Sequence, residues 1–313
     1  MADLPNNICV TGASGLIGRH ICRKLDQMGY RTRVLTRSAH FRDIRSEVFT
    51  GDLCDFKSIC KFLENTEIVF HCAAELHDES KMWQVNVKGT EMLLKASSQI
   101  SIKYFCYLSS AGVVGKCKGN WVDEDSPCNP QNIYEKSKHV AENLVKNGIH
   151  GCSSTVILRP TNVIDDSRPG AIEYPIRSSL IDMVKVFVKG GEHAHIIHAS
   201  DVADAAIFCM NLKFKNPNCF FVSCDDDNMN TFAGIWSLYK AEVKKKTPNV
   251  IQLPHLPIIV PHILRKMLRG NNNIGHVRYS MAKLNAEGFK LSLGLAGAVK
   301  SVFEHNRGKY FLN

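Results

Sequence analysis

The feature that most constrains the fold is a glycine-rich turn between a short apolar run and an amphipathic helix near the N-terminus. The apolar run is Ile8–Val10, and the sequence TGASGLIG follows from Thr11 to Gly18. From Leu16 to Gly29, apolar residues recur at three- and four-residue spacing, which predicts a helix. A strand, a glycine-rich turn and a helix in this order are typical of the start of a parallel α/β sheet.

The same alternation of strands and helices continues through the first half of the chain. Further strands are predicted at Arg31–Leu35, Glu47–Thr50, Ile68–Cys72, Lys103–Ser109 and Thr155–Leu158. Further helices are predicted from the N-cap Asp55 to Leu63, at Glu79–Gln99 and at Asn132–Asn147. This alternation predicts an α/β fold, a Rossmann-type doubly wound parallel sheet with helices on both faces.

The regularity weakens after Arg159-Pro160. Short strands are predicted at His195–His198 and Cys219–Val222, and helices at Asp201–Leu212 and Thr231–Glu242. We therefore predict a smaller, mixed α/β C-terminal lobe. In this division, residues 1–165 form the sheet domain, with returning segments at about 195–212, and residues 166–313 mainly form the smaller lobe.

Composition excludes several classes of protein. The 39 Lys and Arg exceed the 30 Asp and Glu by +9, but the basic residues are dispersed. The densest run, Lys244–Lys246, lies beside Glu242, which is typical of a solvated helix end, so a nucleic-acid partner is disfavoured. A hydrophobic content of 44% excludes a mainly disordered chain. The most apolar stretch, Leu253–Leu264, is interrupted by prolines, so no membrane span is expected.

The 12 cysteines show no repeated spacing and no C-x-x-C pair. We therefore expect reduced, mostly buried thiols rather than a disulfide scaffold. The N-terminal segment Met1–Asn7 is polar and leads directly into the first strand, so no signal peptide is expected. Together these features predict a cytoplasmic protein.

The glycine-rich turn has the spacing that a dinucleotide requires. Gly12 permits a tight turn, Gly15 lets the backbone approach a pyrophosphate, and Gly18 lets the helix pack on the sheet. The free N–H groups and the dipole of the helix start attract phosphates. The residues expected to contact the pyrophosphate are Gly12, Ser14, Gly15, Leu16 and Ile17.

The residue at the end of the second strand bears on the choice between NAD and NADP. An acidic residue there would bind the ribose 2′-hydroxyl, but this sequence has Thr36-Arg37-Ser38. A guanidinium binds a 2′-phosphate bidentately, whereas a carboxylate repels it. We therefore predict a preference for NADP, with NAD also possible. The alternative is that Arg37 stacks on the adenine or lies in solvent.

A tyrosine and a lysine on one helix face suggest acid/base chemistry. Tyr134 and Lys138 are four residues apart in a predicted helix, so their side chains are neighbours. A nearby ammonium and the nicotinamide charge would stabilise the phenolate and lower the pKa of the tyrosine. Ser109-Ser110 ends the fifth strand, at the sheet edge where such folds bind ligands. One of these hydroxyls could hold the substrate oxygen.

An ordered series of motifs covers roughly residues 6–305. The motifs are TGASGLIG from Thr11, GDL from Gly51, HCAA from His71, NVKGT from Asn86, YLSSAGVVG from Tyr107, YEKSK from Tyr134, LRPTNV from Leu158 and HASDVADA from His198. In this series the chain resembles the extended (atypical) short-chain dehydrogenases/reductases of the NAD-dependent epimerase/dehydratase family. The resemblance implies a nucleotide-binding sheet domain, a substrate-binding C-terminal lobe and a homodimer formed through the helices Glu79–Gln99 and Asn132–Asn147.

The resemblance also implies roles for individual residues. Tyr134 would be the acid/base, Lys138 its activator and a ligand of the nicotinamide ribose, and Ser110 the donor to the substrate oxygen. Around the cofactor, it implies that Asp52 and Leu53 hold the adenine, that Cys72, Ala73 and Ala74 line the pyrophosphate and ribose, that Asn86 supports the cofactor, and that Pro160 lies over the nicotinamide. Asn162 would face the substrate.

Departures from the family's motifs narrow the range of reactions that we expect this chain to catalyse. Ala111-Gly112 follow Ser110, where related sugar dehydratases carry an acidic pair and some epimerases a cysteine. We therefore favour an NADP(H)-preferring reductase or dehydrogenase of a keto or hydroxyl group on a nucleotide sugar. Three alternatives stay open: a nucleotide-sugar 4-epimerase, a sterol- or flavonol-type ketone reductase, and a non-catalytic cofactor-sensing protein.

Two other clusters of residues could bind ligands. The basic residues Arg265, Lys266, Arg269 and Arg278 could bind the diphosphate of a nucleotide sugar, or could be surface charges of a helix. The histidines His193, His195 and His198 are placed on one face of a predicted strand, but no carboxylate or cysteine cluster accompanies them in the sequence. No metal is therefore expected.

Overall fold

The structure is a computed structural model that describes residues 8–37, 46–117, 119–149, 151–244, 254–263, 275 and 277–310. Its strands are β1 Ile8–Thr11, β2 Thr32–Thr36, β3 Glu47–Thr50, β4 Ile68–His71, β5 Tyr104–Leu108, β6 Trp121–Val122, β7 Thr155–Pro160, β8 Asn162–Ile164, β9 Ile196–His198, β10 Asn218–Val222 and β11 Arg278–Tyr279.

The helices include those predicted after β1 and β3 and at Asn132–Asn147, together with others that the sequence did not predict. They are α1 Leu16–Gln27, α2 Phe56–Phe62, α3 Glu79–Met82, α4 Gly89–Ser97, α5 Ile133–Lys146, α6 Glu173–Arg177, α7 Leu180–Lys189, α8 Ala199–Met210, α9 Phe232–Lys244, α10 Ala282–Ala286 and α11 Gly294–Tyr310. Asp55 caps α2 by accepting from the Lys57 N–H, as predicted.

A seven-stranded sheet with the order β10-β7-β5-β4-β1-β2-β3 forms the centre of the fold. The pairs β1–β2, β1–β4, β2–β3, β4–β5 and β5–β7 are parallel. Every residue of β1, β4 and β5 is buried, which agrees with helices on both faces, whereas the edge strand β3 is largely exposed. The prediction of a Rossmann-type doubly wound sheet is confirmed.

The strand order reverses between β1 and β4, because the chain adds β2 and β3 on one side of β1 and the later strands on the other. In an open α/β sheet, such a switch point opens a crevice at the carboxyl ends of the two strands. The glycine-rich turn after β1 and the segment after β4 therefore meet at the edge where a ligand would bind.

The predicted single helix Glu79–Gln99 is wrong in its interior. The helix α3 ends at Met82, a π-helical segment occupies Trp83–Lys88, and α4 continues from Gly89. One wider turn of this kind often marks a functional position, because it changes which side chains face inward. Asn86 lies in this segment and is buried.

The contacts divide the chain into two compact units. The first comprises the described residues of 1–115, 128–160 and 202–220, and the second those of 116–127, 161–201 and 221–313. The second unit contains the small sheets β6–β11 and β8–β9, and α9 packs against α11 within it. It is therefore a mixed α/β structure.

One predicted strand of the second unit is shorter than expected. His195 has a φ of 55°, in the left-handed region, and β9 begins only at Ile196. A strand cannot continue through this conformation, so the prediction that His193, His195 and His198 lie along one strand is wrong.

No helix in the described ranges is long and apolar enough to cross a membrane.

Candidate active site

The glycine-rich turn makes the close approach that its spacing predicts. Gly12 has a φ of 71°, and a Cβ there would lie 2.6 Å from the Ala73 backbone N. A Cβ on Gly18 would lie 2.3 Å from the Gly12 carbonyl oxygen. Gly15 is exposed, and a Cβ there would meet only the Gly12 carbonyl oxygen, at 3.1 Å. Two glycines therefore allow tight backbone packing, and the third leaves one side of the turn open.

The start of α1 has the character of an anion site. Its N-cap is Gly15, no side chain caps it, and its first turn contains no acidic residue in this fully described stretch of the chain. The backbone N–H groups and the positive end of the helix dipole are therefore available to a phosphate. The residues Ser14, Leu16 and Ile17 lie at this helix start, as predicted, and the turn fits a pyrophosphate.

A buried histidine joins the ends of β1 and β4. The Thr90 hydroxyl donates to the Asn86 carbonyl oxygen (2.6 Å), so it accepts from His71 Nε2 (2.9 Å). The Thr11 hydroxyl then donates to His71 Nδ1 (2.7 Å). Burial lowers the pKa of His71 to about 3, so the ring is neutral. This network fixes the strand ends that precede Gly12 and Cys72–Ala74.

Asn86 connects the segment after β4 to α5. Its Oδ1 accepts from the Glu75 N–H (2.7 Å), and its Nδ2 donates to the Glu75 carbonyl oxygen (3.1 Å) and to the Ser137 hydroxyl (2.9 Å). The Ser137 hydroxyl in turn donates to the Tyr134 carbonyl oxygen (2.7 Å). Asn86 thus holds the segment that contains Cys72–Ala74 at a set position relative to the helix of Tyr134.

The structure distinguishes the two serines at the end of β5. The Ser109 hydroxyl is buried and donates to Glu142 Oε2 (2.7 Å). The Ser110 hydroxyl is half-buried, accepts from the Gly112 N–H (3.1 Å) and also bonds to the Tyr134 side chain. Only Ser110 therefore shares its hydroxyl with the candidate acid/base.

Tyr134 stands in the first turn of α5, which begins with a capping box of Asn132 and Glu135. Burial raises the pKa of the phenol to about 12, the bond with Ser110 counteracts part of this rise, and the charge of Glu135 adds to it. The ring is therefore a neutral phenol in the structure. The lower pKa of Tyr134 that we expect from the sequence would require a positive charge beside the ring.

Lys138 is buried one turn further along α5. Its ammonium donates to the Leu108 carbonyl oxygen and lies 4.3 Å from the centre of the Tyr107 ring. Burial lowers the pKa of Lys138 to about 7, against the charges of Cys72 and Glu142, which raise it. The lysine is thus held at the end of β5, between the strand that carries Ser110 and the helix that carries Tyr134.

A buried ion pair behind these residues was missed by sequence reasoning. Arg159 at the end of β7 donates from Nη2 to Glu142 Oε1 (2.6 Å) and from Nε to Oε2 (3.0 Å), and both side chains are almost fully buried. Glu142 also accepts from Ser109 and pairs with Lys146. The signal was present, since Glu142 follows Tyr134 by two helical turns and Arg159 interrupts an apolar strand.

The residues expected at the adenosine end have simple surroundings. Arg37 follows β2 and is exposed, and Asp52 Oδ1 accepts from the Cys54 N–H (2.8 Å), which caps a turn. Burial raises the pKa of Cys54, and the charges of Asp52 and Arg37 act on it in opposite directions. Because Thr36 pairs with Thr50 and the Gly51 N–H donates to the Thr36 carbonyl oxygen (2.9 Å), Arg37 and this turn follow the ends of neighbouring strands. Leu53 is buried, and Ser38 lies outside the described residues.

The predicted substrate residue Asn162 belongs to the second unit. Its Nδ2 donates to the Ala194 carbonyl oxygen (2.7 Å), and its N–H donates to the His195 carbonyl oxygen (2.8 Å). Pro160, two residues earlier, is the buried last residue of β7. The role of Asn162 towards a substrate stays a prediction.

A carboxylate does accompany the histidines, against the sequence-based expectation. Asp225 is fully buried and its Oδ2 accepts from His195 Nδ1 (2.6 Å). The rings of His193 and His195 stack with centres 5.8 Å apart. The Arg278 Nε donates to His193 Nε2 (3.1 Å), while Arg265, Lys266 and Arg269 lie outside the described residues.

The groups of Cys128, His139 and Glu142 lie within 4.8 Å of one another, a grouping that could suggest a metal. However, the Arg159 guanidinium and the Lys146 ammonium already bind the Glu142 carboxylate, and Arg159 also donates to Cys128 Sγ (3.3 Å). Two cations in contact with the carboxylate disfavour a third. All 12 cysteines are free thiols, five of them buried: Cys9, Cys22, Cys106, Cys209 and Cys224.

Sequence comparison identifies related proteins for the first two thirds of the chain. The model of the NAD dependent epimerase/dehydratase family matches residues 8–220. A sterol-4-alpha-carboxylate 3-dehydrogenase, decarboxylating, of Dictyostelium discoideum is 28% identical over 63% of this chain and 65% of its own length. A putative UDP-glucose 4-epimerase of Methanocaldococcus jannaschii is 30% identical over 66% of this chain and 74% of its own.

An uncharacterized Sinorhizobium fredii protein, y4nG, is 28% identical over 65% of this chain. The matched part covers only about half (53%) of the length of that relative.

Solved structures share the fold over almost the whole chain. A short-chain dehydrogenase/reductase superfamily protein of Agrobacterium tumefaciens with bound NAD superposes with a TM-score of 0.74 at 19% identity, covering 97% of this chain and 98% of that one. MoeE5 in complex with UDP-glucuronic acid and NAD gives 0.71 at 22% identity, covering 97% and 100%.

Proposed function

Because the chain belongs to the NAD-dependent epimerase/dehydratase family, we propose that it is an NADP(H)-preferring reductase or dehydrogenase of a secondary alcohol or ketone. The observation that supports this best is the position of Lys138, which lies one helical turn after Tyr134 and whose ammonium donates to the Leu108 carbonyl oxygen, two residues before Ser110 at the end of β5. A bound nicotinamide cofactor would supply or accept the hydride.

The chain's own residues would handle the proton and the substrate oxygen. In the reductive direction, the Ser110 hydroxyl would hold the carbonyl oxygen, and the Tyr134 phenol would give its proton to the developing alkoxide. The buried Lys138 ammonium would stabilise the resulting phenolate. In the oxidative direction, the same groups would remove the proton from the hydroxyl.

We propose the open turn at Gly15 and the helix start at Leu16 and Ile17 as the pyrophosphate site. Gly12 and Ala73, whose backbones are in close contact, would form its floor. Arg37, exposed beside the turn of Asp52 and Leu53, would bind a 2′-phosphate. The solved neighbours whose titles name NAD support a nicotinamide cofactor in general, and the preference for NADP rests on Arg37.

Two substrate classes compete. A nucleotide sugar is favoured by the fold shared with MoeE5, which binds UDP-glucuronic acid, and by the putative UDP-glucose 4-epimerase among the relatives. A sterol-type substrate is favoured by the Dictyostelium discoideum sterol-4-alpha-carboxylate 3-dehydrogenase and the Mus musculus enzyme of the same name. The Ala111-Gly112 pair offers no acidic side chain for an elimination. We therefore propose a simple redox reaction, with a nucleotide sugar as the preferred class of substrate.

The test is a rate screen of the purified protein with NADPH and NADP⁺. Keto and hydroxyl forms of UDP- and dTDP-sugars form one panel, and 3-hydroxy and 3-keto sterols form the other. We expect cofactor turnover with the sugar panel. Turnover only with sterols would change the proposed substrate class from nucleotide sugars to sterols. A sugar with an inverted carbon but no net cofactor turnover would identify an epimerase. Cofactor binding without any turnover would refute the enzymatic role.

A further inference from the structure

The helix α7 exposes an unusual number of large apolar side chains. The exposed fractions are 81% for Leu180, 68% for Ile181, 60% for Val184, and 45% for both Met183 and Phe187. Leu180, Val184 and Phe187 follow one another at four- and three-residue spacing, so they form a continuous stripe along one face. A surface helix of a globular protein ordinarily turns such a stripe towards the core.

The buried side of α7 is partly polar instead. Asp182 is buried in the first turn, accepts from the Ser179 N-cap and pairs with Arg177 (3.4 Å) and Lys185 (3.4 Å). Val186 is the buried apolar residue of this side. The helix also packs against α6 and α9, so its orientation, and with it the exposure of the stripe, is set by packing within this unit.

A second segment of the same unit extends the exposed stripe. The Leu256 N–H donates to the Phe187 carbonyl oxygen (2.9 Å), which joins residues 254–263 to the end of α7. Ile259 and Ile263 belong to a helical part of the described residues 254–263 and are 52% and 49% exposed. We call the seven residues the apolar surface: Leu180, Ile181, Met183, Val184, Phe187, Ile259 and Ile263.

Cations outnumber carboxylates around the apolar surface, where Arg177 also pairs with Glu173 (3.6 Å) at the other end of α6. Arg177, Lys185 and Lys189 flank the apolar surface, and the ammonium groups of Lys185 and Lys189 lie 5.6 Å and 5.9 Å from the rings of Tyr174 and Phe232. The only acidic residue in 180–189 and 254–263 is Asp182, which is buried and paired. Two copies of this surface would bring like charges together, whereas an anionic lipid surface would complement both the apolar stripe and its cations.

We propose that the apolar surface docks the protein on an anionic membrane. The apolar side chains would enter the boundary between headgroups and acyl chains, with α7 parallel to the bilayer plane. Arg177, Lys185 and Lys189 would contact lipid phosphates and carboxylates. This docking needs no membrane-spanning helix, because the helix lies in the interface.

The test is vesicle flotation of the full chain. Vesicles of phosphatidylcholine alone are compared with vesicles of phosphatidylcholine and phosphatidylserine. We expect binding at least about tenfold tighter to the anionic vesicles, because several cations act together. The double variant Leu180→Ser/Val184→Ser should bind these vesicles about tenfold more weakly or worse, because two inserted side chains are lost. Met28→Ser, which removes a 48% exposed apolar side chain from the end of α1, should bind like the unchanged protein.

Circular dichroism and the oligomeric state in solution are measured on the same three proteins. If the double variant keeps the native helical content, its loss of vesicle binding results from the changed surface and not from unfolding. Equal binding to both kinds of vesicle, or unchanged binding of the folded double variant, would overturn the proposal. A dimer without lipid that dissociates in the double variant would assign this surface to a second copy of the chain instead.

Discussion

At the scale of single residues, the surroundings of Tyr134 and Lys138 make opposite demands. Burial favours the neutral forms of both, since it raises the pKa of the phenol to about 12 and lowers that of the ammonium to about 7. In the oxidative direction, the proposed chemistry instead starts from a phenolate next to an ammonium. The site would therefore become effective when a further positive charge, such as that of an oxidised nicotinamide, lies beside the phenol.

Replacing Tyr134 by Phe should leave the ring in place and remove the proton that is transferred. We expect the turnover number to fall by about a hundredfold or more, because positioned acid/base groups contribute roughly that much. Cofactor affinity, measured by fluorescence titration, should stay within about twofold. Turnover close to that of the unchanged protein would rule out the assigned role.

Replacing Lys138 by Met should change how stability depends on pH. In the unfolded chain the lysine keeps its ordinary pKa of 10.5, whereas the folded chain releases the proton near pH 7. Between these values the unfolded state binds more protons, so this lysine makes the free energy of unfolding rise with pH. The variant should therefore be stabilised relative to the unchanged protein most near pH 7, and this difference should shrink towards pH ~10.

Urea unfolding at several pH values measures this difference. Lys136→Met serves as the control, since Lys136 is an exposed lysine of the same helix. A difference between the Lys138 variant and the unchanged protein that stays constant with pH would mean that Lys138 is protonated alike in both states.

At the scale of secondary structure, α5 is fixed to the sheet by polar contacts. Glu142 on α5 binds Arg159 at the end of β7 and Ser109 at the end of β5. On the other side, Ser137 receives a hydrogen bond from Asn86 of the π-helical segment. These contacts determine where Tyr134 lies relative to Ser110, so the helix as a whole acts as the positioning element.

Replacing Glu142 by Gln should destabilise the fold by about 3–5 kcal/mol, because the Arg159 charge would be left buried without its partner. Glu91→Gln, which breaks the exposed pair with Lys88, should cost less than about 1 kcal/mol. Urea unfolding at neutral pH measures both. If both substitutions lower the free energy of unfolding by the same amount, the buried ion pair stabilises the fold no more than the exposed one.

The same pair predicts a dependence on acid. Arg159 and Lys146 lower the pKa of Glu142 to about 2 against the opposing effect of burial. The folded carboxylate therefore stays ionised while the unfolded one takes up a proton, and the stability that it contributes is lost as the pH falls from about 4.5 towards 2. In the Glu142→Gln variant this part of the acid sensitivity should be absent.

At the scale of the whole molecule, cofactor binding should be visible as a gain in global stability. A ligand at a hundred times its dissociation constant stabilises the folded state by about 2.7 kcal/mol. At equal concentrations we expect a larger rise in Tm with NADPH than with NADH, because Arg37 would pair with the 2′-phosphate.

Arg37→Asp should reverse this order, since a carboxylate repels the phosphate and can bind the ribose hydroxyl. Arg31→Asp makes the same charge change just before β2, at another exposed position, and should keep the NADPH preference. A larger Tm rise with NADH for the unchanged protein would contradict the predicted NADP preference. The predicted homodimer is tested on the same samples by analytical ultracentrifugation.

The family resemblance, rather than spacing, singled out Ser110 from the pair Ser109-Ser110. The sequence by itself determined the alternation of strands and helices in the first half of the chain, the glycine-rich turn and the pairing of Tyr134 with Lys138. These features are carried by local patterns: the period of apolar residues, caps such as Asp55, and a four-residue spacing on one helix. The interrupted helix at Trp83–Lys88 was not predictable in this way, because the apolar pattern continues through the wider turn.

Only the tertiary structure decided which side chains meet across long stretches of chain. The pairs Glu142–Arg159 and His195–Asp225 join residues from different elements, and no spacing in the sequence announces them. Burial likewise decided the charge states of His71 and Lys138. The exposed stripe of α7 has the same apolar period as a buried one, so its exposure depends on how α7 packs against α6 and α9. Local pattern reveals which face of a helix is apolar, but only the packing of the whole chain decides whether that face is covered.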